Sequence, residues 1–538
     1  MRVLGIEGTA WAASAAYFDS ETDGVLIDSD PYQPGSGGIH PREAAEHMSE
    51  AIPRVIERVL SEADQVDVVA FSRGPGLGPC LRIVASAARA LAQSLDVPLV
   101  GVNHMVAHLE IGRHRSGFTN PVCLNASGAN AHVLGYHNGR YQVLGETMDT
   151  GVGNALDKFA RHLDWSHPGG PKIEDRAKDG EYVPLPYVVK GMDFSFSGIM
   201  SAAKDAVEAP STGNRNSSSS GDAVDSGERI EDVCFSLQET VFAMLAEVSE
   251  RALSLTGSDE LVLGGGVGQN ARLRGMLAEM CDARGASFHA PEPRFLRDNA
   301  GMIAVLGAKM ATAGDTLPIE ESRVDPNFRP DEVDVTWRGG ESVSRPTTDA
   351  EEVIGAEAVV DLGEDVSKRR RPKRYRHPDL DARLRRERTA SEARLTSLAR
   401  REGVPTPTVR DVDLREGTIV LERVGRADLS AGITPERVRE LGGHLATLHG
   451  AGFVHGDPTP RNVRISPERT YCIDFGLGYH TDETEDHAMD LHVFERSLAG
   501  TAAAFEVCRA AFEAGYREAG DEAVLDRLRE IEGRGRYR

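Results

Sequence analysis

The chain has 538 residues, 84 acidic against 61 basic side chains and a formal charge of -23, so it exceeds one ordinary domain and can bury several cores. Its six cysteines are scattered, with no CxxC pair, so neither a disulfide framework nor a cysteine zinc site is indicated. No apolar run nears the ~20 residues of a membrane span, and the N-terminus lacks a basic-then-apolar leader, so a cytoplasmic protein that stays off the membrane is expected.

Roughly -21 of the charge falls in residues 1–352 and only about -2 in residues 353–538, an asymmetry expected of two fused units. Lysine is scarce and arginine supplies most of the positive charge. Such a surface suits concentrated salt, where screening shortens charge repulsion to a few ångström. If an acidic chain of this kind binds RNA, its positive charge must be clustered.

Met1–Gly5 reads as a strand entering the small acidic turn Gly5-Ile6-Glu7-Gly8-Thr9-Ala10, with a second strand near Ala12–Phe18. Backbone amides in such a turn can approach a phosphate or a metal-bound water. Val66–Phe71 reads as a strand leading to Gly74-Pro75-Gly76-Leu77-Gly78-Pro79 and an alanine-rich helix from about Leu81 to Leu95. A glycine connection into a helix N-terminus suits an anion, and suits equally a tight turn that needs positive φ.

Pro98–Val102 is a short apolar strand with its proline at the first position, where a missing donor is tolerated. Asn103-His104-Met105-Val106-Ala107-His108-Leu109-Glu110 follows at once. Four apart on a helix, His104 and His108 share a face with Cβ atoms about 5–6 Å apart, so both imidazoles reach one cation. Imidazole suits zinc or iron better than magnesium. The plainer alternative is two histidines on an amphipathic helix.

Further on lie Ser127-Gly128-Ala129-Asn130 between strands, Asp149–Asn154 leading into Asp157-Lys158, and His167-Pro168-Gly169-Gly170-Pro171. Leu261–Leu263 runs into Gly264-Gly265-Gly266-Val267-Gly268-Gln269-Asn270. Strand, glycine turn and helix thus occur in both halves of the first 330 or so residues, the pattern of two related lobes with a nucleotide between them. Ser211–Gly227, with four consecutive serines, reads as an exposed insertion.

These motifs, with Asp193-Phe194-Ser195-Phe196-Ser197-Gly198 and Asp298-Asn299-Ala300-Gly301-Met302-Ile303, resemble the universal tRNA threonylcarbamoyltransferase family over residues 1–328. The resemblance implies a two-lobed α/β fold of the actin, sugar-kinase and heat-shock ATPase type. It implies transfer of threonylcarbamoyl from threonylcarbamoyl-adenylate to the adenosine 3′ of the anticodon in ANN-reading tRNAs, with AMP leaving. One divalent metal, iron ahead of zinc, is implied on His104, His108 and Asp298. The nucleotide is implied against Asp157, Gly170, Glu174 and the glycine loop with Gly265, Gly266 and Asn270. Where relatives carry a tyrosine that can ligate the metal, this chain has Asn125. A separate synthase must supply the donor.

A metallopeptidase is disfavoured, because H-E-x-x-H places its general base directly after the first histidine and Met105 stands there. The purified protein is expected not to cleave glycoproteins. Robust metal-dependent proteolysis abolished by His104→Ala would overturn this.

After Pro330 the chain turns acidic and irregular, and residues 329–352 read as a linker. Beyond it, Gly355-Ala356-Glu357-Ala358 between short strands, Lys368, Glu392 on a charged helix, His455-Gly456-Asp457 with Asn462, and Asp474-Phe475-Gly476 are parts of a protein kinase in order. In that scheme Lys368 holds phosphates and pairs with Glu392, Asp457 orients the acceptor, and Asn462 and Asp474 hold Mg²⁺ of Mg-ATP. No G-x-G-x-x-G or APE motif is present, and about 60 residues follow Asp474, so a minimal bilobal α+β kinase fold is expected.

The run Lys368–Asp381 with Arg388-Thr389 and Glu392-Ala393-Arg394 resembles the small atypical kinase or ATPase of the KEOPS complex, over residues 353–538. That resemblance implies other KEOPS-like subunits as partners. The basic stretch Lys368–Arg376 reads either as an RNA contact or as part nucleotide site and part solvated surface; the tail Arg534–Arg538 is expected to touch tRNA. The rival reading is a regulatory protein kinase on a nucleotide-binding scaffold, which the missing activation segment disfavours.

Overall fold

The computed structural model describes residues 1–32, 39–63, 65–128, 130–137, 139–208, 228–339, 352–502 and 504–534. The insertion Ser211–Gly227, Ala129, residues 340–351 of the expected linker and the last four residues of the basic tail lie outside them. The chain divides into two compact units, one of residues up to 339 and one from 352 onward, with Val189–Asp193 grouping with the second. Among the described residues no helix is long and apolar enough to cross a membrane.

The first unit holds two five-stranded sheets of one design. In the first, the central strand Arg2–Glu7 pairs antiparallel with Ala12–Asp19, which pairs with Gly24–Pro31. On its other side it runs parallel to Val68–Gly74 and, beyond that, Leu99–Asn103. In the second, Val122–Ala126 is central, with antiparallel Ala131–His137 and Arg140–Glu146 on one side. Parallel Glu260–Gly264 and Ser287–His289 complete the other. Val68–Gly74, Leu99–Asn103 and Glu260–Gly264 are largely apolar and buried almost end to end, as strands covered on both faces must be.

Two helices that matter for the site start at asparagine caps. Asn103 Oδ1 accepts the amides of Met105 and Val106 at 3.0 Å each, opening His104–Ser116. Asn299 Oδ1 accepts the Met302 amide at 3.1 Å, opening Ala300–Thr312. The latter helix is apolar all round and nearly wholly buried, which fits a helix enclosed by the core.

The Gly74–Gly78 loop meets the tight-packing alternative. Gly74 (φ +154) lies so near Asp325 that a Cβ would stand 1.8 Å from its carbonyl oxygen. The helix after it begins at Gly78, three residues before the expected Leu81, because Pro79 is well placed in a first turn.

The expected linker needs a correction at its start. Pro330–Glu332 forms a short turn, Trp337 stacks on Tyr141, and Arg338, buried, sits 3.8 Å over the Tyr136 ring. Aromatic and cation–π packing against the second sheet holds residues 329–338 to the first unit, despite their acidic, irregular sequence.

The second unit opens with five antiparallel strands in the order Glu352–Ile354, Ala358–Leu362, Asp365–Arg370, Thr418–Glu422, Val409–Asp413. Helix Pro378–Arg401 packs on this sheet. A helical part follows, from Pro435–Gly450, Thr484–Ala499, Phe505–Arg517 and Glu522–Arg534, closed around Leu441, Leu445, Phe494 and Phe512.

Candidate functional site

His104 and His108 occupy the first turns of their helix, with rings edge to face at 4.9 Å. The loop before Asn299 brings Asp298 to them: its Oδ1 lies 3.5 Å from His104 Nε2 and 3.3 Å from His108 Nε2. One donor atom from each of the three lies within 4.8 Å of the others. Cis ligands bonded at ~2.1 Å stand about 3 Å apart, so two imidazoles and a carboxylate at these separations fit one divalent cation.

Glu7, which sequence reasoning placed only within an acidic turn, is part of this centre. Fully buried at the end of the central strand, it takes the Thr9 amide on Oε1 at 2.8 Å and faces His104 Nδ1 with Oε2 at 3.1 Å. Both ring nitrogens of His104 thus face carboxylates and carry protons; a cation that replaces the Nε2 proton leaves the other on Nδ1 against Glu7, the arrangement that second carboxylates give metal-binding histidines. The available signal was the position: a carboxylate at the end of an otherwise apolar strand.

The electrostatics follow from burial and three neighbours. Burial disfavours charge on His104, but Glu7 and Asp298 outweigh it and push the ring up to about 10. Burial keeps His108 below its ordinary value, against the pull of Asp298. Asp298 is held far below the usual carboxylate range by His104 and His108, although burial opposes its charge. His132, buried beside Asn125, is lowered to about 3 by burial first and then by His108 and His104, and is neutral.

Because His104 carries a proton up to about pH 10, a cation must displace it. Apparent metal affinity is therefore expected to rise about tenfold per pH unit across neutrality. Glu7→Gln should flatten that rise and weaken binding by about 10–100-fold. Titration calorimetry at several pH values checks both, and a pH-independent affinity in the parent protein would contradict the assignment of the proton.

The residues expected at the nucleotide gather around the second glycine loop. Gly265 (φ +84) crosses so close to Ala126 that a Cβ would lie 2.3 Å from its carbonyl oxygen, and Gly266–Gln269 continue as one 3-10 turn. Asn270 caps the following helix, accepting from Arg272 and Leu273 at 2.9 and 3.1 Å, while its amide donates to Gln238 at 3.1 Å. Glu174 accepts the Ala271 amide at 2.8 Å. Asp157 accepts the Gly169 amide at 2.6 Å and faces His167 at 3.1 Å, just before the helix that Gly170 opens. Asn270 and Glu174 thus already serve the chain's own backbone.

In the second unit Lys368 Nζ lies 3.0 Å from Glu392 Oε1 and 2.6 Å from Asp474 Oδ1. Arg370, two residues along the same strand and so on the same face, takes the other Glu392 oxygen at 2.6 Å and Thr389 Oγ1 at 3.2 Å. Sequence reasoning missed it: Lys368 and Arg370 are buried and Arg369 and Arg371 exposed, an alternation that four consecutive basic residues do not disclose. Burial opposes charge on Asp474, but Lys368 and Arg370 keep its carboxyl far below the ordinary range.

Asn462 Nδ2 donates to Asp457 Oδ2 at 2.9 Å and to its carbonyl at 2.8 Å. Asp490 fixes the loop from beneath by accepting the His455 and Gly456 amides at 2.8 Å each. Gly355 closes a turn onto Ala358 at 2.9 Å. Arg376 and Arg388 hold the neighbouring Glu357 at 3.2 and 2.8 Å, so part of the basic stretch turns inward.

Two sheets of one design, with an imidazole–imidazole–carboxylate centre beside a glycine loop, define an α/β protein with a metal-competent site. The family model described as tRNA N6-adenosine threonylcarbamoyltransferase matches residues 24–305. A "probable bifunctional tRNA threonylcarbamoyladenosine biosynthesis protein" of Halobacterium salinarum is 69% identical, over 100% of this chain and 99% of its own. A protein of the same description from Methanospirillum hungatei is 52% identical, over 99% of each. The chain belongs to the tRNA N6-adenosine threonylcarbamoyltransferase family. Among solved structures, T. kodakarensis HypF is 15% identical, with a TM-score of 0.41, over 60% of this chain and 49% of its own.

Proposed function

We propose that residues 1–328 transfer the threonylcarbamoyl group from threonylcarbamoyl-adenylate to N6 of the adenosine 3′ of the anticodon in ANN-reading tRNAs. The observation that carries this reading is the convergence of His104, His108 and Asp298 in a chain that matches its relatives end to end. The amine nitrogen attacks the carbamoyl carbonyl carbon, a C–N bond forms, the C–O bond to phosphate breaks, and AMP leaves with loss of one amine proton. A divalent cation, iron ahead of zinc, would polarise that carbonyl and offset charge on the departing phosphate. Glu7 orients His104, and the loop from Gly264 to Asn270 with Asp157, Gly170 and Glu174 cradles the nucleotide.

Residues 353–538 form, in the same reading, a minimal kinase-like domain that binds Mg-ATP and regulates the transferase as an ATPase or Ser/Thr kinase. Lys368, Glu392 and Asp474 form the linked set that such a site uses, and Asn462 and Asp457 stand together as its acceptor side requires. The protein works in the cytoplasm with tRNA, KEOPS-like subunits and a separate synthase for its donor. The test is transfer from synthetic donor to unmodified ANN-reading tRNA in concentrated KCl, comparing the parent with His104→Ala and Asp457→Ala. Loss of product with His104→Ala supports the transferase reading; no product from the parent, with ATP and the partner subunits present, overturns it.

A further inference from the structure

Two buried polar atoms beside the metal-competent trio have complementary character and no partner. With a cation held on Nε2, the atom that faces Asp298, the His108 proton sits on Nδ1, and that atom is buried with nothing to donate to. Asn125 Oδ1, on the central strand of the second sheet, is buried with nothing to accept from. Both residues are almost wholly enclosed, at 2% and 3% exposure. Buried donors and acceptors are paired in nearly all native structures, since an orphan forfeits its hydration without recompense.

The two flank one glycine. A Cβ built on Gly264 would have as its nearest neighbours Asn125 Oδ1 at 3.5 Å, His108 Cβ at 3.7 Å and Cys123 Sγ at 3.8 Å. The Asn125 amide is already committed on its other side, where Nδ2 meets His132 Nε2 at 3.3 Å. Since Nδ2 donates to neutral His132, the carbonyl end is the one left toward Gly264 and His108.

We infer that Asn125 and His132 are positioning residues for His108: the Asn125 carbonyl accepts the His108 Nδ1 proton across Gly264, directly or through one water, while His132 holds the amide. His108 is then oriented from behind as His104 is by Glu7, by an uncharged pair instead of a carboxylate. The absence of a side chain at Gly264 keeps the path open. This inference rests on reading His104, His108 and Asp298 as the metal centre.

The test uses the full chain in concentrated KCl with Co²⁺ as probe, reading the dissociation constant and the visible ligand-field bands. Asn125→Leu should weaken Co²⁺ binding by about 10–100-fold, with ligand-field bands of unchanged position and intensity. Asn125→Asp, which keeps an acceptor, should bind within a few-fold of the parent, and Gly264→Ala should weaken binding by blocking the path. In the Co²⁺ protein, the exchangeable proton of His108 Nδ1 should be seen as a shifted NMR signal that Asn125→Leu exchanges rapidly with water. Unchanged affinity in Asn125→Leu would overturn the inference, as would band changes showing loss of a ligand, which would make Asn125 a direct ligand. If Asn125→Leu fails to fold, His132→Gln and Gly264→Ala carry the same readouts. A parent protein that binds no Co²⁺ would sink the metal-centre reading itself.

Discussion

Asp298→Asn is expected to lower threonylcarbamoyl transfer by roughly a thousandfold while the fold stays intact. The substitution is nearly isosteric and leaves the cap at Asn299 in place, so the helix Ala300–Thr312 keeps its start. What it removes is the one negative charge that faces both Nε2 atoms, at 3.3 and 3.5 Å. An amide can still hydrogen-bond one imidazole, but it cannot offset a divalent cation. Lewis-acid assistance is worth several kcal/mol, and each ~1.4 kcal/mol is tenfold in rate. Single-turnover transfer, measured with the metal content of the same sample, checks this; activity within threefold of the parent would remove Asp298 from the centre. His104→Ala is the harsher variant, because it strands the fully buried Glu7 carboxylate without its partner.

Asp474→Asn is expected to cut ATP turnover by roughly 100- to 1000-fold, the range for loss of one preorganised electrostatic group. Asp474 adopts φ +66, a left-handed conformation that asparagine tolerates as well as aspartate, so the backbone need not move. Its charge is held by Lys368 at 2.6 Å with Arg370 nearby, and Glu392 divides its two oxygens between the same two cations. Removing one carboxylate leaves two cations facing Glu392 alone and takes away the group placed to hold Mg²⁺. ATP hydrolysis against Mg²⁺ concentration measures the effect, and an unchanged rate would transfer the Mg²⁺ role away from Asp474.

Much of the architecture was legible from short-range patterns. Strand, glycine turn and helix recur in both halves of the first unit, and the two sheets share one strand order. The spacing of His104 and His108 needs only a helix to bring the rings together, and Asn103 starts that helix. One helix boundary differs from the alanine-rich pattern, at Gly78, where Pro79 permits an earlier start. The acidic run after Pro330 reads as linker because its composition is polar; Trp337 and Arg338 pack because Tyr136 and Tyr141, about two hundred residues earlier, offer aromatic faces.

By itself the sequence determined which residue types were available to the chemistry and how neighbours along one helix or strand align, because those depend on periods of 3.6 and 2 residues. The tertiary structure alone decided which distant groups converge. Asp298 lies 190 residues from His108 and meets it only because both helices start at one end of the first unit's packing. Glu7 reaches His104 across 97 residues because its strand ends beside the start of that helix. The inward turn of Arg370 and Arg376, and the placing of both Asn125 and His108 beside Gly264, likewise depend on burial, which a list of side chains does not contain.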